Sequence, residues 1–320
     1  MEYQNFLESL KQVVEKKLGN EYQVQRNQVL KNNGIELEAL VILKEGEYAT
    51  PNIYMEYYYD RYKDGESLDE IGDEVLNFYE EMVRKALPEK KNYLDLKKYR
   101  NAIYYRVVHY EKNKKLLEKI PHIRYLDLAI TFYCKVGEDG NGLQSFCITY
   151  DILKQWDMEE DELYQVAKEN TPYMFPPRVC TMKSFIDDLV QEEEQNNFWK
   201  DSSEFIPITN KQCYDYYVKQ IMEEIDWGEQ MYIITNRCGV NGAATLLYPE
   251  LLHTFSEKCK NDLFVLPSSI HEIIVIPKMG FEKKDLIKMV KEVNENQVAE
   301  DEILSDCVYE YNRESRRLEI

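Results

Sequence analysis

The residues best suited to chemistry lie in one short segment, Ser268-Ser269-Ile-His271-Glu272. A serine hydroxyl, an imidazole and a carboxylate are the groups that nucleophilic catalysis uses, with the histidine as general base. However, no Gly-x-Ser-x-Gly turn surrounds the serines, and a nucleophile usually receives its base from another part of the fold. A second interpretation therefore stays open, in which Ser268 or Ser269 bonds to local backbone in a turn after Pro267.

A second group of candidate residues, Asn236, Asn241 and Gly242, brackets a tight turn. The small residues Ala243 and Ala244 follow, and they would let backbone amides approach an anionic ligand. This segment carries neither the glycine pattern of dinucleotide sites nor the lysine of phosphate loops. Because asparagine and glycine both tolerate positive φ, turn geometry alone explains these residues.

Histidine and cysteine spacing indicates neither a metal site nor a cofactor. His109, His122 and His253 stand far apart in the sequence, and each is interpreted as a packed or surface residue. The seven cysteines include no Cys-x-x-Cys pair and have no close pair of histidines. Free thiols in a reducing cytosol explain that pattern best. We therefore predict no metal and no cofactor.

Charge excludes several classes of partner. The chain of 320 residues carries 40 Lys and Arg against 59 Asp and Glu, a formal net charge of −19. A field of that sign repels phosphate backbones and anionic membranes. The basic stretch at residues 90–100 is interrupted by Tyr93, Leu94 and Leu96, which favours a solvated helix face over a polyanion site. We expect no nucleic-acid and no membrane partner.

The N-terminal residues lack the basic and apolar regions of a signal peptide. No apolar run approaches the roughly 18 residues that a membrane-spanning helix needs. Hydrophobic residues make up 44% of the chain, which is ordinary for a folded protein and too high for a disordered one. We expect a folded, cytoplasmic protein.

Tyrosine is unusually frequent, with 26 residues. Its large apolar area and polar tip suit both cores and adhesive surfaces. The most concentrated run is at residues 53–62, where a helical interpretation places Tyr54, Tyr58 and Tyr62 on one face. Alternatively, the first half of this run is a short strand after Pro51.

The order of predicted elements changes near residue 115. Before it, apolar spacing predicts a first helix ending at Gly19, the turn Asn32-Asn33-Gly34 predicts a hairpin, and Ser67 with Glu70 forms the capping box of a further helix. After it, strands and helices alternate in a larger module, where Asp157 is expected to be a helix N-cap. The irregular segment 173–210 is expected to be an insert or lid, with a solvated connector as the alternative.

Several segments resemble a family of uncharacterised bacterial proteins, a domain of unknown function. They are Tyr-Asp-Ile-Leu-Lys-Gln-Trp-Asp-Met at 150–158 with the residues up to 170, Asn-Gly-Ala-Ala at 241–244 with 247–252, and residues 262–272. Together with residues 50–54, the resemblance runs nearly end to end. It implies a bacterial, cytosolic member of that family and supplies no activity or catalytic residue.

These observations predict an α+β fold: an N-terminal helix–hairpin–helix region at residues 1–115, then a larger mixed-sheet module with flanking helices at residues 116–320. Two functions stay open. A non-catalytic binding or regulatory protein would hold a protein partner or a second copy of itself through residues 54–62 or the segment 173–210. The sequence does not identify a small-molecule ligand. A hydrolase would build its site from Asn236, Asn241 and residues 268–272.

Overall fold

The structure is a computed structural model that describes residues 1–44, 51–85, 95–139, 142–195 and 208–320. Contacts between Cα atoms divide the chain into two compact units, Met1–Asn92 and Tyr93–Ile320. Both units combine helices with antiparallel sheet, so the predicted α+β class is confirmed. The boundary expected at residue 115 falls inside the second unit, because the strand Ile103–His109 pairs with Leu128–Asp139 of that unit.

The first unit is a three-stranded sheet with helices. Its elements are α1 (Tyr3–Leu18), β1 (Tyr22–Leu30), β2 (Glu36–Lys44), β3 (Ile53–Tyr54), α2 (Glu56–Lys63) and α3 (Leu68–Lys85). β1 and β2 form an antiparallel hairpin whose turn places Asn33 at φ 59°, as an asparagine-glycine turn favours. Phe6, Leu10 and Val14 of α1 repeat at helical spacing and are fully buried in the core of this unit.

The capping box predicted before α3 is present. The Ser67 hydroxyl accepts the Glu70 backbone N–H at 3.3 Å, and the Glu70 carboxylate accepts the Ser67 backbone N–H at 3.1 Å. Each residue thus satisfies a backbone donor that the first turn of a helix leaves unpaired.

The tyrosine run at residues 53–62 is divided between two elements. Tyr54 lies in β3 and the helix α2 starts at Glu56, so the interpretation with a short strand is correct. Tyr58 is buried in the core, whereas Tyr57 is 61% exposed and lies under the Arg61 guanidinium. A continuous tyrosine surface on one helical face does not form, because most of these rings supply core area.

The second unit contains two antiparallel sheets. The first has β4 (Ile103–His109), β5 (His122–Tyr125), β6 (Leu128–Asp139) and β7 (Gly142–Cys147), with β6 pairing to the other three. The second has the order β13-β12-β10-β11-β9-β8, formed by β8 (Pro177–Thr181), β9 (Tyr232–Asn236), β10 (Leu263–Leu266), β11 (Ile273–Pro277), β12 (Tyr309–Asn312) and β13 (Arg317–Glu319). Every pairing between described strands is antiparallel, where the sequence led us to expect a mixed sheet.

Helices surround these sheets. They are α4 (Leu96–Tyr99), α5 (Lys114–Leu117), α6 (Tyr150–Gln155), α7 (Glu160–Met174), α8 (Met182–Gln195), α9 (Lys211–Glu223), α10 (Leu251–Cys259) and α11 (Lys283–Asn296). One apolar core joins both sheets through residues such as Phe132 of β6, Tyr232 of β9 and Phe255 of α10. All five residues of β9 are buried, so this strand lies within the core of the second unit. No helix formed by the described residues is both long and apolar enough to cross a bilayer.

The segment 173–210 contributes to the main sheet of the second unit. Its strand β8 pairs along its whole length with β9, from Pro177 opposite Asn236 to Thr181 opposite Tyr232. The helix α8 follows directly, and residues 196–207 lie outside the described part of the chain. The expected insert therefore begins with a strand that the sheet includes at its edge.

Candidate functional site

The two groups of candidate residues meet because β9 and β11 are antiparallel neighbours. β9 ends at Asn236 where β11 begins at Ile273, so the turn after β9 lies beside the segment before β11. The Thr235 hydroxyl donates to the carbonyl oxygen of His271 at 2.7 Å. The backbone N–H of Ala243 donates to the carbonyl oxygen of Ile270 at 3.1 Å. Residues that are far apart in the sequence thus form one cluster at this edge of the sheet.

The Asn236 side chain is used within its own turn. Its Oδ1 accepts the Cys238 backbone N–H at 2.9 Å, and its Nδ2 donates to the Val240 carbonyl oxygen at 2.8 Å. Asn236 is only 2% exposed, and Asn241 completes the turn in the left-handed region at φ 53°. The amide of Asn236 therefore holds the turn in shape, as its residue type favours.

Gly242 is required by a close approach of backbone. A Cβ added there would lie 2.0 Å from the Thr235 hydroxyl oxygen and 2.3 Å from the His271 carbonyl oxygen. Any side chain would collide with both, and one of these atoms is backbone that cannot rotate away. Glycine at this position lets the short 3-10 helix Gly242–Leu247 pass directly over the end of β9.

The two serines are buried, and their hydrogen bonds brace a turn. The Ser269 hydroxyl accepts the His271 backbone N–H at 3.0 Å, and the Ser268 carbonyl accepts the Leu304 backbone N–H at 2.8 Å. Ser269 also forms an isolated antiparallel bridge with Ile303. These bonds tie the segment before β11 to residues 302–304, and they match the bonding to local backbone that one interpretation of the sequence describes.

Both nitrogens of the His271 ring have partners. Nδ1 accepts the backbone N–H of Asn241 at 3.3 Å, so the neutral ring carries its proton on Nε2. Nε2 lies 3.3 Å from Oε1 of Glu302 and donates to that carboxylate. A backbone amide and a carboxylate therefore fix the orientation of the ring.

Glu272 is the most perturbed acid of the cluster. Burial raises the pKa of its carboxyl, the nearby Glu302 raises that pKa further, and His271 and the Ser269 hydroxyl oppose the rise. A carboxyl with a raised pKa is a common feature of catalytic sites and also of buried structural acids. The Glu272 carboxyl thus lies close to the charges of His271 and Glu302 and to the Ser269 hydroxyl.

This arrangement differs from a nucleophile–base pair. In such a pair a hydroxyl lies within about 2.6–3.2 Å of the base nitrogen. Across the described residues, no hydrogen bond joins the hydroxyl of Ser268 or Ser269 to the His271 ring. To accept a serine proton, the ring would have to leave either the Asn241 amide or the Glu302 carboxylate.

Three of the cysteines are buried enough to suppress their thiolate form. All seven are free thiols, and burial raises the pKa of Cys134 to about 12 and that of Cys147 and Cys180 to about 11. These three thiols remain protonated at neutral pH and are poor nucleophiles. Within the described ranges, no three histidine, cysteine or carboxylate residues lie together in a way that could hold a metal ion.

A further candidate surface lies on α8, inside the segment 173–210 that the sequence offers as a protein-contact surface. Met182, Ile186 and Val190 are spaced four residues apart, so they line one side of the helix, and we call them the α8 stripe. Ile186 is 50% exposed and Val190 57% exposed. The spacing was visible in the sequence, but only the packing of the second unit decides that this side faces outward.

Comparison with known proteins identifies the family and no activity. Neither a curated protein nor a solved structure matches the chain. The sequence profile of a family of unknown function, DUF5688, matches residues 3–313, almost the whole chain. The resemblance to an uncharacterised family is thereby confirmed, and the chain belongs to DUF5688.

Proposed function

We propose that this protein is a non-catalytic binding module that acts through protein contacts, and that the α8 stripe is its contact surface. The observation that carries the proposal is the alignment of Met182, Ile186 and Val190 on an exposed side of α8. Single exposed apolar residues are ordinary on a protein surface. Aligned apolar residues that form a continuous patch more often mark an interaction surface.

The α8 stripe continues into a groove that suits an inserted side chain. This groove has a volume of about 470 Å³, and Met182, Ile186 and Met231 supply its apolar walls. Methionine side chains are flexible and polarisable, so they adapt to apolar groups of different shape. An amphipathic helix that lays its apolar side on such a groove is a common mode of recognition.

Charge favours a basic partner over a second copy of the chain. Among the described residues that line the groove, Asp187 and Glu229 are the carboxylates and Lys183 is the one cation. The whole chain carries a net charge of −19, so two copies repel each other while a basic segment is attracted. The proposed occupant is therefore an amphipathic, lysine- or arginine-rich protein segment.

The test measures the binding of a fluorescent helical peptide built from leucine and lysine, followed by anisotropy. The double variant Ile186→Glu/Val190→Glu should weaken binding about tenfold or more, since it removes two apolar contacts and adds charge. The control is Val293→Glu, which changes an exposed apolar residue on the helix α11. The control should bind as the unchanged protein does.

Two outcomes would overturn this proposal. In the first, the double variant binds the peptide as tightly as the unchanged protein. In the second, sedimentation shows that the unchanged protein self-associates and that the double variant is monomeric, which would make a second copy the occupant. An analogous peptide of leucine and glutamate should not bind, because its charge has the wrong sign.

The hydrolase alternative retains one supporting observation, the raised pKa of Glu272 beside His271. It requires that Ser268 or Ser269 become the nucleophile and that His271 release one of its two partners. The hydrogen bonds that hold the His271 ring favour a structural turn. The stability of His271 variants distinguishes a structural role from a catalytic one.

A further inference from the structure

A second cleft lies in the second unit, between α7, α10 and the hairpin of β12 and β13. It has a volume of about 240 Å³. Tyr164 and Lys168 of α7, His253 of α10 and Tyr311 of β12 line it together with Tyr125 of β5. Pockets for drug-sized ligands span roughly 300–1,000 Å³, so this cleft suits a smaller molecule.

Five polar groups line this cleft, and the Lys168 ammonium lies over the Tyr164 ring, 5.9 Å from its centroid. Within the parts of the chain that the structure describes, the hydroxyls of Tyr125, Tyr164 and Tyr311 and the ammonium of Lys168 form no hydrogen bond or ion pair. Nδ1 of His253 is buried and has no hydrogen-bond partner. Buried polar groups are normally satisfied, so the buried His253 nitrogen, in a concave place lined by hydroxyls that remain open to a partner, indicates a ligand or ordered water.

Most of these groups are hydrogen-bond donors. Burial raises the pKa of Tyr125, Tyr164 and Tyr311, which keeps each phenol protonated at neutral pH and able to donate. The ammonium of Lys168 can only donate. Three phenols and an ammonium therefore present four donor groups at this cleft, and their complement is an oxygen-rich acceptor.

The side chains that line the cleft carry a net positive charge. Of the described residues that line the cleft, Glu250 is the only carboxylate, and Arg316 pairs with it at 3.1 Å. Both residues hold the left-handed backbone conformation, at φ 60° and 57°, which side chains other than asparagine and glycine seldom adopt. Glu250 and Arg316 neutralise each other, and Lys168 has no ion-pair partner among the described residues, so the cleft lining keeps a positive charge.

We propose that this cleft binds a small organic oxyanion, a carboxylate or phosphate carried on an aromatic or similarly flat group. The oxyanion lies against Lys168 and the phenol hydroxyls, and the flat group lies between the tyrosine rings. Charge-assisted hydrogen bonds of this kind are about twice as strong as neutral ones. The net charge of −19 repels anions at long range, but physiological salt screens that repulsion beyond about 8 Å, and the local donors act within it.

The test is calorimetric titration of the full chain with three probes of similar size: benzoate, phenyl phosphate and benzamide. Benzoate or phenyl phosphate should bind, and benzamide, which has the same ring without the negative charge, should bind at least about tenfold more weakly, since a hydrogen bond to a charged group is worth about 1.5–3 kcal/mol. The tighter of the two acids identifies the anionic group.

Matched variants locate the binding. Lys168→Gln should weaken the binding of the acid about tenfold, and Tyr164→Phe, which removes a donor and keeps the ring, should weaken it severalfold. Lys219→Gln removes an exposed lysine from the helix α9 and should leave binding unchanged. The proposal is overturned if neither acid binds or if benzamide binds as tightly as benzoate. It is also overturned if Lys168→Gln and Lys219→Gln bind the acid with the same affinity.

Discussion

The backbone N–H of Asn241 donates a hydrogen bond to Nδ1 of His271, with 3.3 Å between the two nitrogens. The bond joins the turn after β9 to the segment before β11, and it leaves the His271 Nε2 proton for Glu302. The His271 ring therefore connects its own segment to the turn after β9 and to Glu302, which is a structural role. The same fixed orientation is also what a catalytic histidine needs, so the two roles must be separated by measurement.

Substitution of His271 tests the structural role. His271→Ala leaves the Asn241 N–H without its acceptor and Glu302 without its donor, so we expect the free energy of unfolding to fall by about 1–3 kcal/mol. His271→Asn places a carbonyl oxygen close to the position of Nδ1 and should recover part of that loss. Urea unfolding followed by circular dichroism measures both. If His271→Ala is as stable as the unchanged protein, the ring is not structural and the hydrolase alternative gains support.

The pH dependence of stability tests the environment of Glu272. Its pKa is raised in the folded state, mainly by burial, and returns to the ordinary carboxyl value on unfolding. Between those two values the folded state binds more protons than the unfolded state, so this residue makes the free energy of unfolding fall as pH rises. Below the ordinary value both states are protonated and the effect disappears.

The variant Glu272→Gln cannot ionise and should not show that fall. The difference in unfolding free energy, unchanged protein minus variant, should therefore decrease from acid toward neutral pH. Urea unfolding at a series of pH values measures it, with Glu295→Gln on an exposed position of α11 as the control. Parallel pH profiles for Glu272→Gln and the unchanged protein would contradict the buried environment.

Replacement of Gly242 tests the close approach of the turn to β9. Gly242→Ala puts a methyl group 2.3 Å from the His271 carbonyl oxygen, so the 3-10 helix must move away from the sheet. Overpacking of this kind destabilises by about 1–3 kcal/mol, and a backbone collision should reach the upper end. Gly228→Ala is the control, because its nearest atom would be a flexible Asp226 carboxylate oxygen at 3.2 Å. Thermal unfolding should separate the two variants, and equal melting temperatures would show that the turn relaxes freely.

One helix end shows how a local motif can be assigned to the wrong element. Asp157 was expected to be the N-cap of α7, but it adopts φ 51° directly after α6, and Glu159 precedes α7 instead. The flanking Trp156 and Met158 are both buried in the core. Their burial favours a tight left-handed turn at Asp157, which the capping pattern alone does not reveal.

The sequence by itself determined the features whose causes lie within a few residues. The Ser67–Glu70 capping box, the Asn33 hairpin turn and the apolar side of α1 all follow from short-range spacing, and the α+β class follows from their sum. Family membership also follows from the order of residues alone.

Only the tertiary structure decided which distant residues meet. Asn241 and His271 are neighbours because β9 and β11 pair, and Tyr164, His253 and Tyr311 share a cleft because α7, α10 and β12 pack together. Short-range periodicity specifies which side of an element is apolar, but it does not specify the partner of that side. That choice depends on the summed burial and hydrogen bonding of the whole unit, which no single segment contains.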